Sequence, residues 1–200
     1  MTRPIVAITL AALIGVASIA AQTTKPGAVW MIHQVPPEWR TLVSRADVVI
    51  VAMQDSLLRQ LHDKLVQGGP ALAFGACHID TAELTHRIGR GEGIAAGMTS
   101  DRLRDPTNKP RGWAADLVGA HTGKQIREVK GFAVDLGDRI GVLRPMAQTK
   151  SCLSCHGPVA DLPPTIRHLI AERYPNDRAT GFTEGQIRGW FWVEMPKPAQ

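Results

Sequence analysis

The 200-residue sequence predicts an α+β fold. Three observations support this class. Apolar residues recur at helical spacing in the first half of the chain, apolar runs bounded by turn residues follow in the second half, and a helix precedes the last of these runs. Helices that come before a group of strands are typical of α+β domains with an antiparallel sheet.

The N-terminus has the pattern of a secretory signal peptide. Thr2-Arg3 is a short basic start, an apolar run extends from Ile5 to Ile19, and Ser18-Ile19-Ala20 offers a cleavage site with small residues. We therefore predict a signal peptide over residues 1–20 and a periplasmic protein with no membrane span after cleavage. An uncleaved membrane anchor is the alternative.

The rest of the chain is long enough for one domain. Residues 21–38 are rich in Pro, Gly and Thr and predict a linker. Residues 39–200 then predict a single domain with an ordinary hydrophobic core.

Two helices are predicted first. Apolar residues over 39–66 recur at roughly helical spacing, and Gly68-Gly69-Pro70 ends that run. Residues 71–90 predict a second helix, which carries Cys77, with Asp80-Thr81 as an alternative start.

Strands dominate the second half. The predicted strands are residues 94–104, 124–134, 139–146 and 186–195, with a hairpin turn at 136–138, a loop at 105–110, a short amphipathic segment at 112–118 and a helix at 163–173. In the last strand, alternate apolar residues from Ile187 to Met195 predict one packed face.

Cys152-Leu153-Ser154-Cys155-His156 is the most informative motif, because CxxCH is the attachment site of c-type haem. In a helical turn the two cysteines and the histidine project from one face. Two sulfurs can then bond the haem vinyl groups while the His156 imidazole reaches the iron. A redox-active CxxC, which needs a βαβ context absent here, and a zinc site recruiting Cys77 or His168 are the alternatives.

The third cysteine, Cys77, remains alone in an oxidising compartment. It is either a small buried hydrophobe or the distal axial ligand of the iron, since thiolate is a recognised haem ligand. His78 competes for the same role, although neighbours on a helix point about 100° apart. Met98, Met146 and His121 are weaker alternatives.

Charge and motifs exclude several function classes. The chain has 23 Lys and Arg against 18 Asp and Glu, and these charges are scattered, so no nucleic-acid partner is expected. The sequence has no kinase, receptor or nucleotide-binding motif. Arg102 and Arg104 would share one face of a predicted strand, where they bind haem propionates or face solvent.

Four segments are similar to one family: residues 75–84 around Cys77, residues 99–110 followed by Trp113, residues 144–146 followed by residues 151–157 with the CxxCH motif, and residues 170–181 followed by Ile187-Arg188-Gly189. Together they resemble the Tll-type c-type haem domain family over roughly residues 44–195. The resemblance implies a PAS-like antiparallel sheet with N-terminal helices around one covalent haem. It also implies that Cys152 and Cys155 form the thioethers, His156 is the proximal ligand and Cys77 the distal one.

The same resemblance implies a sensor of redox state or of a diatomic gas, because a displaceable cysteine ligand provides a two-state switch. The expected partners are that small ligand or a redox partner protein, with a homodimer as a further possibility. A small electron-transfer cytochrome c is the alternative function. An enzyme of the haem peroxidase type is a minor third hypothesis, and we expect a protein that is not an enzyme.

Overall fold

An antiparallel sheet organises residues 27–74 and 93–198, which are the residues that the computed structural model describes. Its strands are β1 (Val29–Met31), β2 (Ala95–Thr99), β3 (Phe132–Asp135), β4 (Arg139–Ala147) and β5 (Ile187–Pro196). The helices are α1 (Pro37–Ala73), α2 (Ala115–Gly119), α3 (Leu153–His156) and α4 (Pro164–Arg173). The predicted α+β class with an antiparallel sheet is confirmed.

The strands lie in the order β1, β3, β4, β5, β2, and every neighbouring pair is antiparallel. β3 and β4 form the predicted hairpin, in which Phe132 lies opposite Leu143. Gly137 in its turn has a φ of 90°, which residues with a Cβ rarely adopt. The last strand of the sequence therefore lies inside the sheet, between β4 and β2.

Helix α1 covers one face of this sheet. Its buried side chains recur every three or four residues, as the sequence predicts, and pack on β4 and β5. The resulting α1 cluster includes Leu42, Val43, Ala46, Val49, Ile50, Met53, Ile140, Val142, Phe191, Val193 and Met195. Asp47 adds an ion pair with Arg144 of β4, with Nε–Oδ1 and Nη2–Oδ2 distances of 2.8 and 2.5 Å.

Near its end, α1 changes direction at the predicted stop. Gly68 and Gly69 have non-helical dihedral angles, and Gly69 has φ 67° and ψ −164°, a conformation essentially restricted to glycine. A last helical turn follows, and Phe74 is buried directly after it. The kink thus determines where Phe74 enters the interior.

A second cluster covers the opposite face of the sheet. It contains Ala114, Val118, Val129, Phe132, Leu143, Ile187 and Trp190. The Glu194 carboxylate is buried on this face, where its Oε1 accepts hydrogen bonds of 2.9 Å from Arg111 Nε and from Trp113 Nε1. Both faces of β5 are therefore packed, whereas the sequence pattern predicted a single packed face.

The second half of the predicted linker, residues 21–38, belongs to the fold. β1 pairs with β3, Val35 is buried, and α1 begins at Pro37. Trp30 packs on the α1 cluster. The linker prediction is wrong there because a short apolar segment between prolines forms an edge strand.

The strand predicted over residues 94–104 ends at Thr99. Ser100 Oγ donates to the Arg188 carbonyl at 3.0 Å and accepts from Arg102 N at 3.1 Å, which turns the chain away from the sheet. The prediction that Arg102 and Arg104 share a strand face is therefore wrong.

The strand predicted over residues 124–134 begins only at Phe132. Gln125 and Glu128 cap a 3-10 turn at Ile126–Glu128, and this turn replaces the first half of the predicted strand.

Two predicted features lie outside the described residues: the signal peptide, residues 1–20, and the segment of residues 75–92, which contains Cys77 and His78. No helix in the described ranges combines the length and the apolar character that crossing a bilayer requires.

Candidate functional site

The CxxCH motif forms a single turn beside the end of the sheet. A 3-10 turn, Lys150–Cys152, leads from β4 into α3, and Cys152 itself has helical dihedral angles. Gly157 ends the turn, and a Cβ at that position would lie 2.6 Å from the Leu153 carbonyl oxygen. The motif therefore adopts the helical geometry that the spacing predicts, and a glycine must follow it.

The two cysteines differ in their surroundings. Cys152 is partly exposed, and its Sγ lies 3.1 Å from Thr149 Oγ1. Cys155 is buried in a third apolar cluster with Phe74, Leu162 and Ile166. Burial raises the pKa of the Cys155 thiol, although a contact with Ser154 and the charge of Arg104 oppose this change.

His156 is buried, and its ring has a fixed orientation. Its Nδ1 lies 2.7 Å from the Ala179 carbonyl oxygen, which can only accept, so Nδ1 carries the proton. Burial lowers the pKa of His156 well below its ordinary value, and Arg188 and Arg104 lower it further. The ring is therefore neutral, and its Nε2 keeps a lone pair for a metal ion.

A cleft lies between α1, the end of the sheet and the CxxCH turn. It contains roughly 920 Å³ of empty space, part of it open to solvent. Its apolar lining includes Leu57, Leu58, Leu61, Phe74, Met98, Leu103, Met146 and Tyr174; its polar lining includes Arg102, Arg104, Asn108, His156 and Arg188. Cys152 also borders this cleft.

Arg104 lies at the junction of the cleft and the motif. Its Nε donates to Asp177 Oδ1 at 2.8 Å, and its Nη2 donates to the Cys155 carbonyl at 2.7 Å. Nη1 is buried and has no hydrogen-bond partner in the part of the chain that the structure describes. A buried guanidinium nitrogen of this kind is a ready donor for an anionic group.

Arg102 also borders the cleft, but its contacts differ. Its Nε donates to the Arg178 carbonyl at 3.1 Å, and its guanidinium lies 4.0 Å from the centre of the Phe182 ring. Arg102 and Arg104 thus both reach the cleft from an irregular segment after β2.

A segment that the sequence did not mark as functional holds the motif in place. Residues 177–182, called the docking segment below, supply the Ala179 carbonyl to His156, and Phe182 N donates to the His156 carbonyl at 2.9 Å. Gly181 N donates to the Gly157 carbonyl at 2.7 Å. These bonds are mostly made by main-chain atoms, which have no residue-specific signal, so the spacing of side chains could not reveal them.

The residues predicted as alternative iron ligands lie in different parts of the fold. Met98 and Met146 line the cleft with His156. His121 lies in the opposite layer, where its ring centre is 5.0 Å from that of Phe132 and 5.8 Å from that of Trp190. The prediction of His121 as an alternative axial ligand is therefore wrong.

A zinc site with His168 receives no support. His168 is on the exposed side of α4, and its Nε2 lies 3.9 Å from Glu172. Among residues 27–74 and 93–198, no three His, Cys, Asp or Glu side chains are grouped as metal ligands would be.

The sequence profile of the Tll0287-like family matches residues 14–196. The chain belongs to the Tll0287-like family. One similar solved structure is that of the cyanobacterial haem protein Tll0287, with 21% sequence identity and a TM-score of 0.54. The match covers 83% of this chain and 99% of that one, and it shows a shared fold. No curated protein matches the chain.

Proposed function

We propose that this protein is an exported c-type haem protein. Cys152 and Cys155 would form the two thioethers, and His156 would be the proximal iron ligand. The observation that carries the proposal is the placement of His156, which is buried at the cleft with its Nδ1 2.7 Å from the Ala179 carbonyl oxygen. Histidines that bind a metal through one ring nitrogen typically donate from the other to a carbonyl in this way. Export is proposed from the pattern of residues 1–20.

The described residues fit the parts of a haem. An apolar ring suits the leucine and phenylalanine side chains that line the cleft. Carboxylate groups suit the Arg104 Nη1 donor, which has no partner within the described ranges, and the neighbouring Arg102. We propose that these two arginines bind the propionates, Arg104 through Nη1. When bound, haem supplies one-electron chemistry and an iron atom that binds diatomic gases.

Cys77 is proposed as the distal ligand. It lies outside the described residues, three positions after Phe74, and Phe74 lines the cleft. Three residues span at most about 10 Å, so a distal ligand at this position in the sequence is compatible with the cleft that Phe74 lines. Its thiolate would bind ferric iron firmly and release ferrous iron more easily, which makes the distal position depend on redox state.

The proposed role is therefore a periplasmic sensor of redox state or of a diatomic gas, without enzymatic activity of its own. Release of the Cys77 thiolate would open a position for the gas and change the conformation that a partner protein reads.

An electron-transfer cytochrome c is the second candidate. The observation that favours it is that two methionine side chains, those of Met98 and Met146, line the same cleft as His156. Either could keep the iron six-coordinate in both oxidation states and so prevent gas binding.

The first experiment concerns attachment. Haem should remain with the wild-type polypeptide in denaturing electrophoresis, and replacement of both motif cysteines by alanine (Cys152→Ala with Cys155→Ala) should abolish this retention. His156→Ala keeps both sulfurs and serves as the matched control: it should retain haem while changing its spectrum. Free extraction of haem from the wild type would refute covalent attachment.

The second experiment separates sensor from carrier. Cys77→Ser should convert the low-spin ferric spectrum to high spin, or to a bis-histidine type that uses His78, raise the reduction potential and speed carbon monoxide binding. Met98→Leu and Met146→Leu are matched controls that keep the cleft apolar and should leave all three measurements unchanged. If a methionine variant changes them and Cys77→Ser does not, the carrier is the better description.

A further inference from the structure

The CxxCH turn depends on other segments for its geometry. Helix α3 is one turn long, and no side chain of the described residues caps its start. An isolated turn of this length is unstable in water, so its groups need partners from elsewhere in the fold. Those partners come from the docking segment and from Arg104.

Arg104 and Asp177 connect these partners. Their side chains are only 10% and 5% exposed, and the Nε–Oδ1 distance is 2.8 Å. Arg104 contacts the motif at the Cys155 carbonyl, while Asp177 begins the segment that contacts His156 through Ala179. The ion pair thus links the turn to the segment that orients the proximal ring.

The link is part of a packed arrangement. The Arg104 guanidinium lies 5.1 Å from the centre of the Phe74 ring, and Arg178 N donates to the Leu103 carbonyl at 2.8 Å. Charge and main-chain bonding therefore both hold residues 103–104 against residues 177–178, and the Phe74 ring packs on the Arg104 guanidinium. Removing one partner of a buried ion pair leaves the other charge uncompensated, so this contact would loosen.

We propose that Arg104 and Asp177 are positioning residues that set the strength of the His156 Nδ1–Ala179 hydrogen bond and, through it, the reduction potential of the haem iron. The second part rests on the proposed function. A firm bond from Nδ1–H to a carbonyl increases electron donation by the imidazole and favours ferric iron. A looser docking segment weakens that bond and raises the potential.

Three variants test this proposal. Asp177→Asn removes the ion pair with little change in shape. Arg104→Lys keeps the charge but loses the planar guanidinium group, which donates to Asp177 and to the Cys155 carbonyl at the same time. Asp161→Asn is the matched control, because Asp161 is an exposed carboxylate in the turn after the motif, so this variant removes an equal charge without touching the pair.

Two measurements are compared in the full-length protein. Asp177→Asn should raise the reduction potential by more than Asp161→Asn does, and Arg104→Lys should raise it with no change in charge. The His156 Nδ1 proton, followed by NMR in apo and haem-loaded protein, should exchange with solvent about tenfold faster in both variants and at the wild-type rate in the control.

Equal potentials in Asp177→Asn and Asp161→Asn, with unchanged proton exchange, would overturn the positioning role. If Asp177→Asn does not fold, proton exchange in the apo form of Arg104→Lys decides, because the potential of that variant also depends on the proposed propionate contact of Arg104. A wild-type protein that binds no haem would refute the proposed function instead, and proton exchange in the apo form would still decide whether the ion pair positions His156.

Discussion

Glu194 shows how a single residue is stabilised in the sheet. Its carboxylate is buried on β5 and accepts hydrogen bonds from Arg111 and Trp113, while Arg139 Nη1 lies 3.8 Å away. A buried carboxylate is costly unless donors replace the lost water. These three side chains, from two other segments, offset that cost.

We expect Glu194→Ala to lower the free energy of unfolding by about 2 kcal/mol, because the Trp113 indole loses its acceptor and Arg111 loses its partner. Arg111 is 48% exposed, so water partly replaces its contact and limits the loss. Urea unfolding of the holoprotein measures the change. Glu184→Ala, at an exposed position, should stay within about 0.5 kcal/mol of the wild type; equal losses in both variants would contradict the role of Glu194.

The residues of the motif were predictable from sequence, but their partners were not. The spacing of Cys152, Cys155 and His156 carries chemical information by itself. The carbonyl that orients His156 lies 23 residues away, and Arg104 lies 51 residues from the Cys155 carbonyl it contacts. Any residue other than proline offers the same main-chain groups, so such partners appear only in the folded chain.

At the scale of elements, the direction of α1 depends on its glycine pair. Helical spacing in the sequence predicts the helix and the stop at Gly68-Gly69, and the structure places a kink there. The same reasoning missed β1 and overextended β2, because strand ends depend on hydrogen bonds such as that of Ser100 to Arg188 rather than on apolar pattern.

Gly69→Ala should reduce the free energy of unfolding by about 1–3 kcal/mol, because φ 67° with ψ −164° is strained for any residue with a Cβ. The space around the added methyl group is open, so strain rather than a clash is the cause. Gly112→Ala, where the space is also open and φ is ordinary, is the control and should change stability by less than about 0.5 kcal/mol. Similar thermal unfolding temperatures for the two variants would contradict the expected backbone strain at position 69.

At the scale of the whole molecule, the described residues form three apolar clusters, of which two pack on the sheet and two border the cleft. The α1 cluster and the second cluster cover opposite faces of the sheet, and the third cluster lies under α3 and α4. The cleft is bordered by Met98 and Met146, which pack on the α1 cluster, and by Phe74 of the third cluster. A group bound in the cleft would therefore contact two clusters and leave the second one untouched.

Haem binding should therefore stabilise the elements around the cleft more than those on the opposite face of the sheet. Hydrogen exchange in the wild-type apoprotein should be faster than in the holoprotein in α3, in α4 and in the last turns of α1. Exchange should stay unchanged in β3 and at α2, because Trp113, Phe132 and Trp190 pack there without contact with the cleft. Equal acceleration throughout the sheet would show instead that the three clusters unfold as one unit, and unchanged exchange near α3 would place the haem outside this cleft.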